Sequence, residues 1–279
     1  FYRVSELADT EAPTGVTATL VATDFTTLTV ACTATDNSGV VSFDILSGET
    51  KLATGGAKSG ETTNIVVANL EAGKEYNLSV VAYDANENKA AAVTVTATTN
   101  ALPAPATTPN LPAEDVYSIY SDTYTSPVYF IIGTWGQTTI TSEIDLANNE
   151  KAYYFKNTNY LGWEINNNTP MDVTAYPNLH IDVYALAAGT LEITPISAGP
   201  KEKAYTLTLE ANKWNSFNIS TDQFTGVEFD KFIQIKFDKG QNASYFIDNV
   251  YFFKTPSTGL EQNTSATMIT KIIENGTIY

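Results

Sequence analysis

Hydrophobic and polar residues alternate with a period of two along most of the chain, in short runs separated by Gly, Asn, Asp and Pro. Clear examples are TLTVACTAT, YNLSVVAYD, AVTVTATT, YTLTLE and FIQIKF. Alternation over such lengths predicts half-buried β-strands, and many strands at close spacing predict β-sandwiches. Helical periodicity is nearly absent. We therefore expect an all-β protein with very little helix.

A proline-rich stretch, TTNALPAPATTPNLPAE at residues 98–114, interrupts this pattern with four prolines. Proline removes a backbone donor and favours extended chain, so the stretch predicts a semi-rigid spacer. We expect two β-sandwich domains, at residues 1–100 and 114–255, joined by a linker at 101–113. Residues 256–279 are expected to form a C-terminal tail.

Composition and charge narrow the classes of partner. The chain has 279 residues and a formal net charge of −16, with 31 acidic against 15 basic residues. Such a field repels phosphate backbones and anionic headgroups, so neither nucleic acid nor a membrane surface is expected as a partner. No apolar run approaches the ~20 residues of a membrane-spanning helix. With one His and one Cys, transition-metal and thiol chemistry lack ligands.

Residues 10–99 resemble a fibronectin type III domain of the bacterial kind, through LTVACTATDNSGVVSFDIL followed by NLEAGKEYNLSVVAYDANEN. Leu70, Gly73 and Tyr76 match the L-x-x-G-x-x-Y turn of that family, which implies that the tyrosine bonds a backbone group at a corner. Cys32 stands where the family usually has Trp, and we expect a buried small apolar group there. In bacterial chains that handle polysaccharides such domains are mostly spacers.

Residues 114–254 resemble a jelly-roll, galactose-binding-like carbohydrate-binding module of the kind attached to Bacteroidetes polysaccharide-degrading proteins. KWNSFNIS and YFIDNVYF carry the resemblance most strongly. It implies a neutral polysaccharide or oligosaccharide as partner, with β-glucan suggested by the family's usual company. It also implies an extracellular or outer-membrane location, beside a glycoside hydrolase module or cell-surface glycan-uptake proteins. The tail at 256–279 resembles the beginning of a sorting region of exported proteins.

Aromatic residues beside amide and carboxyl side chains mark the candidate sugar site. The C–H faces of neutral sugars lie on aromatic rings, and their hydroxyl groups need planar hydrogen-bond partners. The segments TWGQ and NYLGWEI supply both kinds of group, and two further tyrosines are weaker candidates. The expected sugar-binding residues are Trp135, Gln137, Tyr160, Trp163, Glu164, Tyr129 and Tyr124.

Trp135 and Trp163 could each belong to the hydrophobic core instead of the sugar site. Gly133 and Gly136 flank Trp135, which favours a loop and an exposed ring over a packed one. Trp163 shares a strand face with Ile165, so it can instead belong to the core. Trp214 is structural by resemblance and is left out of the site.

Asp248 in the last predicted strand is the candidate metal ligand. Strict alternation places it on the same face as Phe246, Val250 and Phe252, and a carboxylate buried there must be paired or must bind a cation. The resemblance implies that an acid at this point helps to hold a structural Ca²⁺. Asp122, in the turn of YSDTYT, is the expected second ligand if the first and last strands of the domain are neighbours. The alternative is that Asp248 caps a turn or accepts hydrogen bonds from backbone amides.

No catalytic motif is evident. His180 and Asp182 share a strand face, but no G-x-S-x-G nucleophile accompanies them, so we expect them to pack or to bond across the sheet. Glycosidases need two carboxylates that flank a cleft. The sequence contains no motif of closely spaced acidic residues that would indicate such a pair. We expect a non-catalytic binding protein. Two alternatives stay open: a glycoside hydrolase or polysaccharide lyase, or an ancillary fragment of one; and a surface adhesion protein that binds other proteins.

Overall fold

The structure is a computed structural model that describes residues 9–255, and these residues form an all-β protein as predicted. Their regular structure consists of nineteen strands and five short 3₁₀ turns. The chain divides into two compact units between Leu102 and Pro103. The predicted tail at 256–279 and the first eight residues of the predicted first domain lie outside the described residues. The described part contains no helix with the length and apolar character needed to span a bilayer.

Seven antiparallel strands form the first unit. They are β1 (Thr14–Thr23), β2 (Leu28–Thr35), β3 (Val40–Ser47), β4 (Thr50–Lys58), β5 (Thr63–Val67), β6 (Glu75–Tyr83) and β7 (Val93–Thr98). The order β1-β2-β5 makes one sheet and β4-β3-β6-β7 the other. Alternation along β2 and β3 buries one side of each strand in a shared core. Cys32 is fully buried there, as expected, and burial raises the pKa of its thiol to about 11.

The corner before β6 has the predicted tyrosine geometry. The Glu71 N–H donates to Tyr76 Oη at 2.8 Å. Leu70 is buried in the core, and Gly73 has a φ of +66°, a conformation that L side chains rarely adopt. The L-x-x-G-x-x-Y spacing therefore places a core anchor, a turn and a side-chain acceptor for a backbone N–H at one corner.

Twelve strands and all five 3₁₀ turns belong to the second unit. The strands are β8 (Val116–Tyr120), β9 (Phe130–Ile132), β10 (Ile140–Asp145), β11 (Lys151–Lys156), β12 (Tyr160–Ile165), β13 (Asn178–Ala185), β14 (Gly189–Ser197), β15 (Lys201–Glu202), β16 (Tyr205–Leu209), β17 (Lys213–Ser220), β18 (Phe232–Asp238) and β19 (Tyr245–Phe253). The 3₁₀ turns are Ala113–Asp115, Ala147–Asn149, Asn166–Asn168, Thr221–Gln223 and Phe229–Lys231.

These strands form two six-stranded sheets that enclose one hydrophobic core. The β19 sheet has the order β10-β11-β19-β13-β17, and β8 also pairs with β19. The β18 sheet has the order β15-β14-β18-β12-β9, and β16 also pairs with β14. Inward side chains of β12, β13, β18 and β19 share the core. Each sheet therefore has one outer surface. The outer surface of the β19 sheet is partly covered, because all nine residues of β19 are buried and Tyr124 packs with Tyr251 and Phe253 there.

Trp163 lies at the centre of this core. Its side chain is fully buried and stacks on Phe130 with ring centroids 4.1 Å apart. Phe155 and Phe237 meet it edge-on at 6.1 and 5.1 Å. The prediction that Trp163 contacts a sugar is therefore wrong, because the alternation of β12 turns it inward together with Ile165.

Replacing Trp163 with phenylalanine should lower stability without affecting ligand binding. The smaller ring leaves part of the aromatic cluster unfilled, so we expect a loss of about 1 to 3 kcal/mol in the free energy of unfolding. Chemical denaturation measures this loss, and a binding assay on the folded variant provides the control. Lost binding with unchanged stability would place Trp163 in the site after all.

A β-bulge in β19 reverses the predicted alternation. Asp182 pairs with Asp248, whereas His180, only two residues earlier, pairs with Tyr251. The extra residue is at Asn249, whose φ is +50°. Asp248 therefore faces outward with Phe246 and Tyr251, and its predicted place beside Val250 and Phe252 is wrong. Strict period-two counting fails wherever a bulge adds one residue.

Candidate functional site

The outer surface of the β18 sheet collects most of the predicted site residues. Along β12, Tyr160, Gly162 and Glu164 alternate with buried core residues and so face outward. On β18, Lys236 pairs with Gly162 and Gln234 pairs with Glu164. We call this surface the Trp135 face and define it by Tyr129, Ile131, Trp135, Tyr160, Glu164, Asn168, Gln234 and Lys236.

The indole of Trp135 lies against the sheet where two glycines leave room for it. A Cβ built on Gly162 would fall 2.2 Å from Cη2 of the ring and 2.4 Å from both Cζ2 and Cζ3. Nearly equal distances to three adjacent ring carbons mean that the ring presents its face to Gly162. A Cβ on Gly133 would fall 2.6 Å from the indole Nε1. The opposite face of the ring is turned away from the sheet, and the side chain remains partly exposed.

Four hydrogen bonds fix the position of Trp135. Its Nε1 donates to Glu164 Oε1 at 2.7 Å, and its backbone N donates to Gln137 Oε1 at 2.9 Å. Tyr160 Oη donates to the Trp135 carbonyl at 2.6 Å. Gln137 Nε2 also donates to the Gly133 carbonyl at 2.6 Å. Gln137 and Tyr160 therefore hold the loop, while Glu164 orients the ring.

A row of polar side chains continues across the sheet from Glu164. Glu164 Oε2 accepts from Asn168 Nδ2 at 3.1 Å, and Asn168 Oδ1 accepts from Gln234 Nε2 at 2.8 Å. Next to Gln234 on the same strand face, Lys236 pairs with Glu202 at 3.1 Å. Fixed amide and carboxylate groups beside an aromatic ring can hydrogen-bond a ligand that carries many hydroxyl groups.

Exposed apolar side chains lie on the side of Glu164 that is away from Gln234, where Ile131 pairs with Glu164. Tyr129 is 52% exposed and Ile131 is 46% exposed. Both alternate with Phe130 and Ile132, which pack on the core, so both face outward. The Trp135 face therefore presents a large aromatic and apolar edge next to its polar row, as binding surfaces commonly do.

Tyr124 lies away from the Trp135 face, so its predicted role in the same sugar site is wrong. It is only 7% exposed, its Oη donates to the Leu111 carbonyl at 3.0 Å, and its ring meets Tyr251 edge-on at 5.3 Å. These contacts place it on the outer side of the β19 sheet. A tyrosine between strands carries no sequence signal that says which sheet it covers.

Sequence reasoning missed Asn168, Gln234 and Lys236. The alternation in FIQIKF does place Gln234 and Lys236 on the outward side of a strand. However, nothing local shows that this strand is the neighbour of β12. Asn168 comes from a 3₁₀ turn, where side-chain direction does not follow a simple period.

Two acidic side chains meet near Asp248, where β8 and β11 diverge along β19. β11 pairs with Tyr245–Ile247, and β8 pairs with Val250–Phe253. Asp248 lies between these two stretches. Asp122 follows β8 and Glu150 precedes β11, and their carboxyl groups are within hydrogen-bonding reach of each other. The strand topology therefore places Asp122 and Glu150 beside the stretch of β19 that contains Asp248, although in the described residues these three carboxylates do not form a group within 4.8 Å of one another.

The electrostatics of this place disfavour a negative charge on Asp248. Burial raises the pKa of Asp248 to about 8, a hydrogen bond from the Asn249 N–H opposes the rise, and the carboxylates of Asp122, Asp182 and Glu150 add to it. Burial and Asp122 also raise the pKa of Glu150. Carboxylates that repel one another lose this repulsion when they are protonated or when a divalent cation binds between them.

A tighter acidic group occurs in the first unit. In the described residues, Asp9, Asp36 and Asp84 have carboxylate oxygens that all lie within 4.8 Å of one another. Asp84 accepts hydrogen bonds from the N–H groups of Asn86 and Asn88 at 2.9 and 2.7 Å. Burial acts to raise the pKa of Asp84, but the hydrogen bonds from Asn88 and Asn86 outweigh this effect and leave the pKa below its usual range. These bonds order the loop after β6.

No family model and no curated protein matches the chain. Its solved structural neighbours are mainly carbohydrate-binding modules. A family 11 carbohydrate-binding module from Clostridium thermocellum, in complex with a β-1,3-1,4-mixed-linked tetrasaccharide, is 13% identical, with a TM-score of 0.38 over 50% of this chain and 95% of that chain. A family 29 module is 13% identical, with a TM-score of 0.34 over 50% and 96%. An exo-β-agarase is 10% identical, with a TM-score of 0.36 over 51% of this chain and 25% of that chain. At these scores the likenesses are distant.

Proposed function

We propose that the second unit binds a neutral polysaccharide on the Trp135 face without catalysing a reaction. One observation carries the proposal: the Trp135 indole lies on Gly162 with its other face outward, and Glu164 holds its Nε1. A sugar ring can stack on that outward face while its hydroxyl groups reach Asn168 and Gln234. β-Glucan is the polysaccharide we propose to test first.

The charges on the face favour a neutral ligand over an anionic one. Lys236 is paired with Glu202, and Glu164 adds a further negative charge beside Trp135. The chain as a whole carries a net charge of −16. Uronate or sulfate groups would meet repulsion at this surface, whereas hydroxyl groups would meet donors and acceptors already in place.

The affinity of a single site should be weak. An open face that stacks one or two sugar rings and makes a few hydrogen bonds buries little area. We expect Kd values from micromolar to millimolar, which corresponds to about 4 to 8 kcal/mol. Such affinity suits a module that keeps a larger protein near an insoluble or very long substrate.

A structural Ca²⁺ held by Asp122, Glu150 and Asp248 forms the second part of the proposal. The bound ion would supply charge compensation for the three carboxylates. Because the three residues lie after β8, before β11 and within β19, its role would be to tie these strands together and not to contact sugar. The raised pKa of Asp248 and the contact between Asp122 and Glu150 support this assignment.

The first unit fits the role of a fibronectin type III-like spacer. Its three-on-four strand arrangement and the Tyr76 corner support that assignment. Polysaccharides do not cross membranes, so the protein would work outside the cell or on the outer-membrane surface. Its partners there would be a glycoside hydrolase module or glycan-uptake proteins.

Affinity electrophoresis of the full chain tests the proposed function. Native gels containing mixed-linkage β-glucan, xylan or galactomannan should retard the protein, whereas gels containing alginate or polygalacturonate should not. The same polysaccharides should yield no new reducing ends or unsaturated products. Migration unchanged in every neutral polysaccharide would contradict the proposal and favour an adhesion protein, and released products would favour an enzyme.

Replacing Gly162 with alanine should weaken polysaccharide binding although the residue touches no ligand. The added methyl group would occupy space now filled by the Trp135 ring, so the ring must leave its position. We expect at least a threefold loss of affinity in gel retardation. Gly189→Ala, where a Cβ meets nothing within 4 Å, is the matched control. Equal retardation of both variants would show that the seating of the ring on Gly162 is irrelevant to binding.

A further inference from the structure

A second concave site lies on the opposite side of the sandwich, on the outer surface of the β19 sheet. It has a volume of about 430 Å³, within the range of roughly 300 to 1,000 Å³ that small-molecule sites occupy. Its floor is formed by β13 and β19, one wall by β17, and the other wall by the extended segment 107–111. We call it the His180 pocket. It is defined by Thr107, Thr108, Pro109, Asn110, Leu111, His180, Asp182, Trp214, Ser216, Asn218, Tyr251 and Phe253.

Two buried ionisable side chains form the floor of the pocket. His180 is 8% exposed and Asp182 is 4% exposed. His180 Nδ1 is 2.6 Å from Asn218 Oδ1, and Nε2 is 3.4 Å from Asp182 Oδ1. The imidazole also stacks on Tyr251, with ring centroids 4.6 Å apart. Asp182 Oδ2 accepts from Asn249 Nδ2 at 2.9 Å, so the floor is held in one arrangement.

The proline-rich segment is fastened over this sheet rather than left as a free spacer. Trp214 Nε1 donates to the Ala104 carbonyl at 2.7 Å, and Tyr124 Oη donates to the Leu111 carbonyl at 3.0 Å. These two bonds hold the segment on either side of residues 107–110. The pocket is therefore formed before any ligand arrives, which lowers the entropic cost of binding.

Four polar side chains around the pocket have no partner in the described residues. Thr107, Thr108 and Asn110 line one wall and Ser216 lines the other, and these four solvent-exposed side chains make no hydrogen bond to the described residues. Among the described residues, no lysine or arginine lines the pocket, and Asp182 contributes a carboxylate. An anion is therefore disfavoured. Hydroxyl and amide groups between the rings of Trp214 and Tyr251 suit a neutral ligand that carries several hydroxyl groups.

We propose that the His180 pocket is a second carbohydrate site, which takes a single neutral sugar unit, free or at a chain end. Trp214 offers the stacking surface, and the unpartnered hydroxyl and amide groups bind the sugar hydroxyls. This site lies on the opposite sheet from the Trp135 face and shares no residue with it. It therefore does not depend on the proposed function of that face.

The three tryptophan indole N–H groups allow a direct test by NMR of the ¹⁵N-indole-labelled full chain. Trp214 reports on the pocket, Trp135 on the Trp135 face and Trp163 on the core. The probes are D-glucose, D-galactose, D-mannose and D-xylose. At least one should shift the Trp214 resonance saturably while Trp163 stays unmoved. A Trp214 resonance that none of the four sugars moves would overturn the proposal.

A blocking variant makes the test specific. Ser216→Tyr fills the pocket from an exposed position of β17, and Thr208→Tyr places the same side chain on an exposed position of β16 as a control. Ser216→Tyr should reduce the sugar-induced shift of Trp214 at least fivefold, whereas Thr208→Tyr should leave it unchanged. A shift that survives Ser216→Tyr would overturn the proposal. Ethylammonium serves as a cationic probe in the same titration. Tighter binding of ethylammonium than of every sugar would also overturn the proposal, because it would show that the pocket is a cation site.

Failure of the pocket is distinguishable from failure of the Trp135 face. Trp135→Ala should leave the Trp214 titration unchanged if the sites are separate. Retardation in β-glucan gels together with an unresponsive Trp214 would overturn the second site and leave the first intact. A responsive Trp214 with no gel retardation would support the pocket alone.

Discussion

Replacing Trp135 with alanine is expected to abolish retardation of the protein in neutral polysaccharide gels. The indole is the largest partly exposed ring on the Trp135 face, and its seat on Gly162 leaves one π-face for a sugar. Aromatic anchors of this kind commonly carry about 2 kcal/mol or more of binding energy, roughly a thirtyfold change in affinity. A site that begins with micromolar to millimolar affinity would then fall below detection.

The same substitution should cost the fold little. Trp135 lies in a loop on the outer surface, and alanine removes one side-chain hydrogen bond, to Glu164, together with partly buried area. We expect a loss of about 1 to 2 kcal/mol, or a few degrees in Tm. Ile140→Ala, at a residue 61% exposed on the β19 sheet, is the matched control and should retain binding. Full retardation of Trp135→Ala would remove the indole from the site.

Removing calcium is expected to lower the Tm, and Asp248→Asn should eliminate this dependence. A ligand that binds only the folded state stabilises it by about 4 kcal/mol when its concentration is a thousand times its Kd. Wild type should therefore melt several degrees lower in chelator than in millimolar calcium. In calcium, Asp248→Asn should be the less stable protein, because the variant lacks one charged ligand.

The order of stability should reverse in the metal-free protein at high pH. The pKa of Asp248 is about 8 in the folded state, against roughly 3.9 for an unfolded aspartate. The folded state therefore binds more protons between these values, and this contribution to stability is lost as pH rises from about 4 to about 8. This contribution to the free energy of unfolding is on the order of a few kcal/mol. The amide that replaces the carboxyl group in Asp248→Asn stays neutral, so in chelator at pH 8 the variant should melt above wild type.

Differential scanning calorimetry of both proteins, with calcium and with chelator, checks these expectations. The alternative hypothesis is that Asp248 only accepts hydrogen bonds from backbone amides and binds no metal. In agreement with it, the Asn249 N–H donates to Asp248 at 2.6 Å. Under that hypothesis calcium does not change the Tm of wild type, and Asp248→Asn has the lower Tm in both buffers at every pH. That pattern would contradict the calcium assignment.

Local alternation predicts the fold class and much of the candidate site. In NYLGWEI, a period of two separates Tyr160 and Glu164 from Trp163, because the pleat of one strand decides which side chains face the core. The glycines beside Trp135 indicate a loop, and the structure adds the reason for them. Gly162 leaves the space in which the ring lies, a contact between two segments that no single stretch of sequence contains.

The parts that could not be predicted depend on pairing between distant strands. The bulge at Asn249 is defined only against β13, so counting along β19 placed Asp248 on the wrong face. Tyr124 follows β8, and only the contact with Tyr251 shows which sheet it covers. Likewise, Glu150 joins Asp122 because β8 and β11 pair with successive parts of one strand.

A crystal structure of the full chain with a bound neutral oligosaccharide, beginning with a mixed-linkage β-glucan tetrasaccharide, tests the central claim most directly. We predict a sugar ring parallel to the outward face of the Trp135 indole, with carbon atoms about 4 Å away. Its hydroxyl groups should reach the polar row that begins at Glu164. An oligosaccharide bound elsewhere on the second unit, with the Trp135 ring uncovered, would contradict the account.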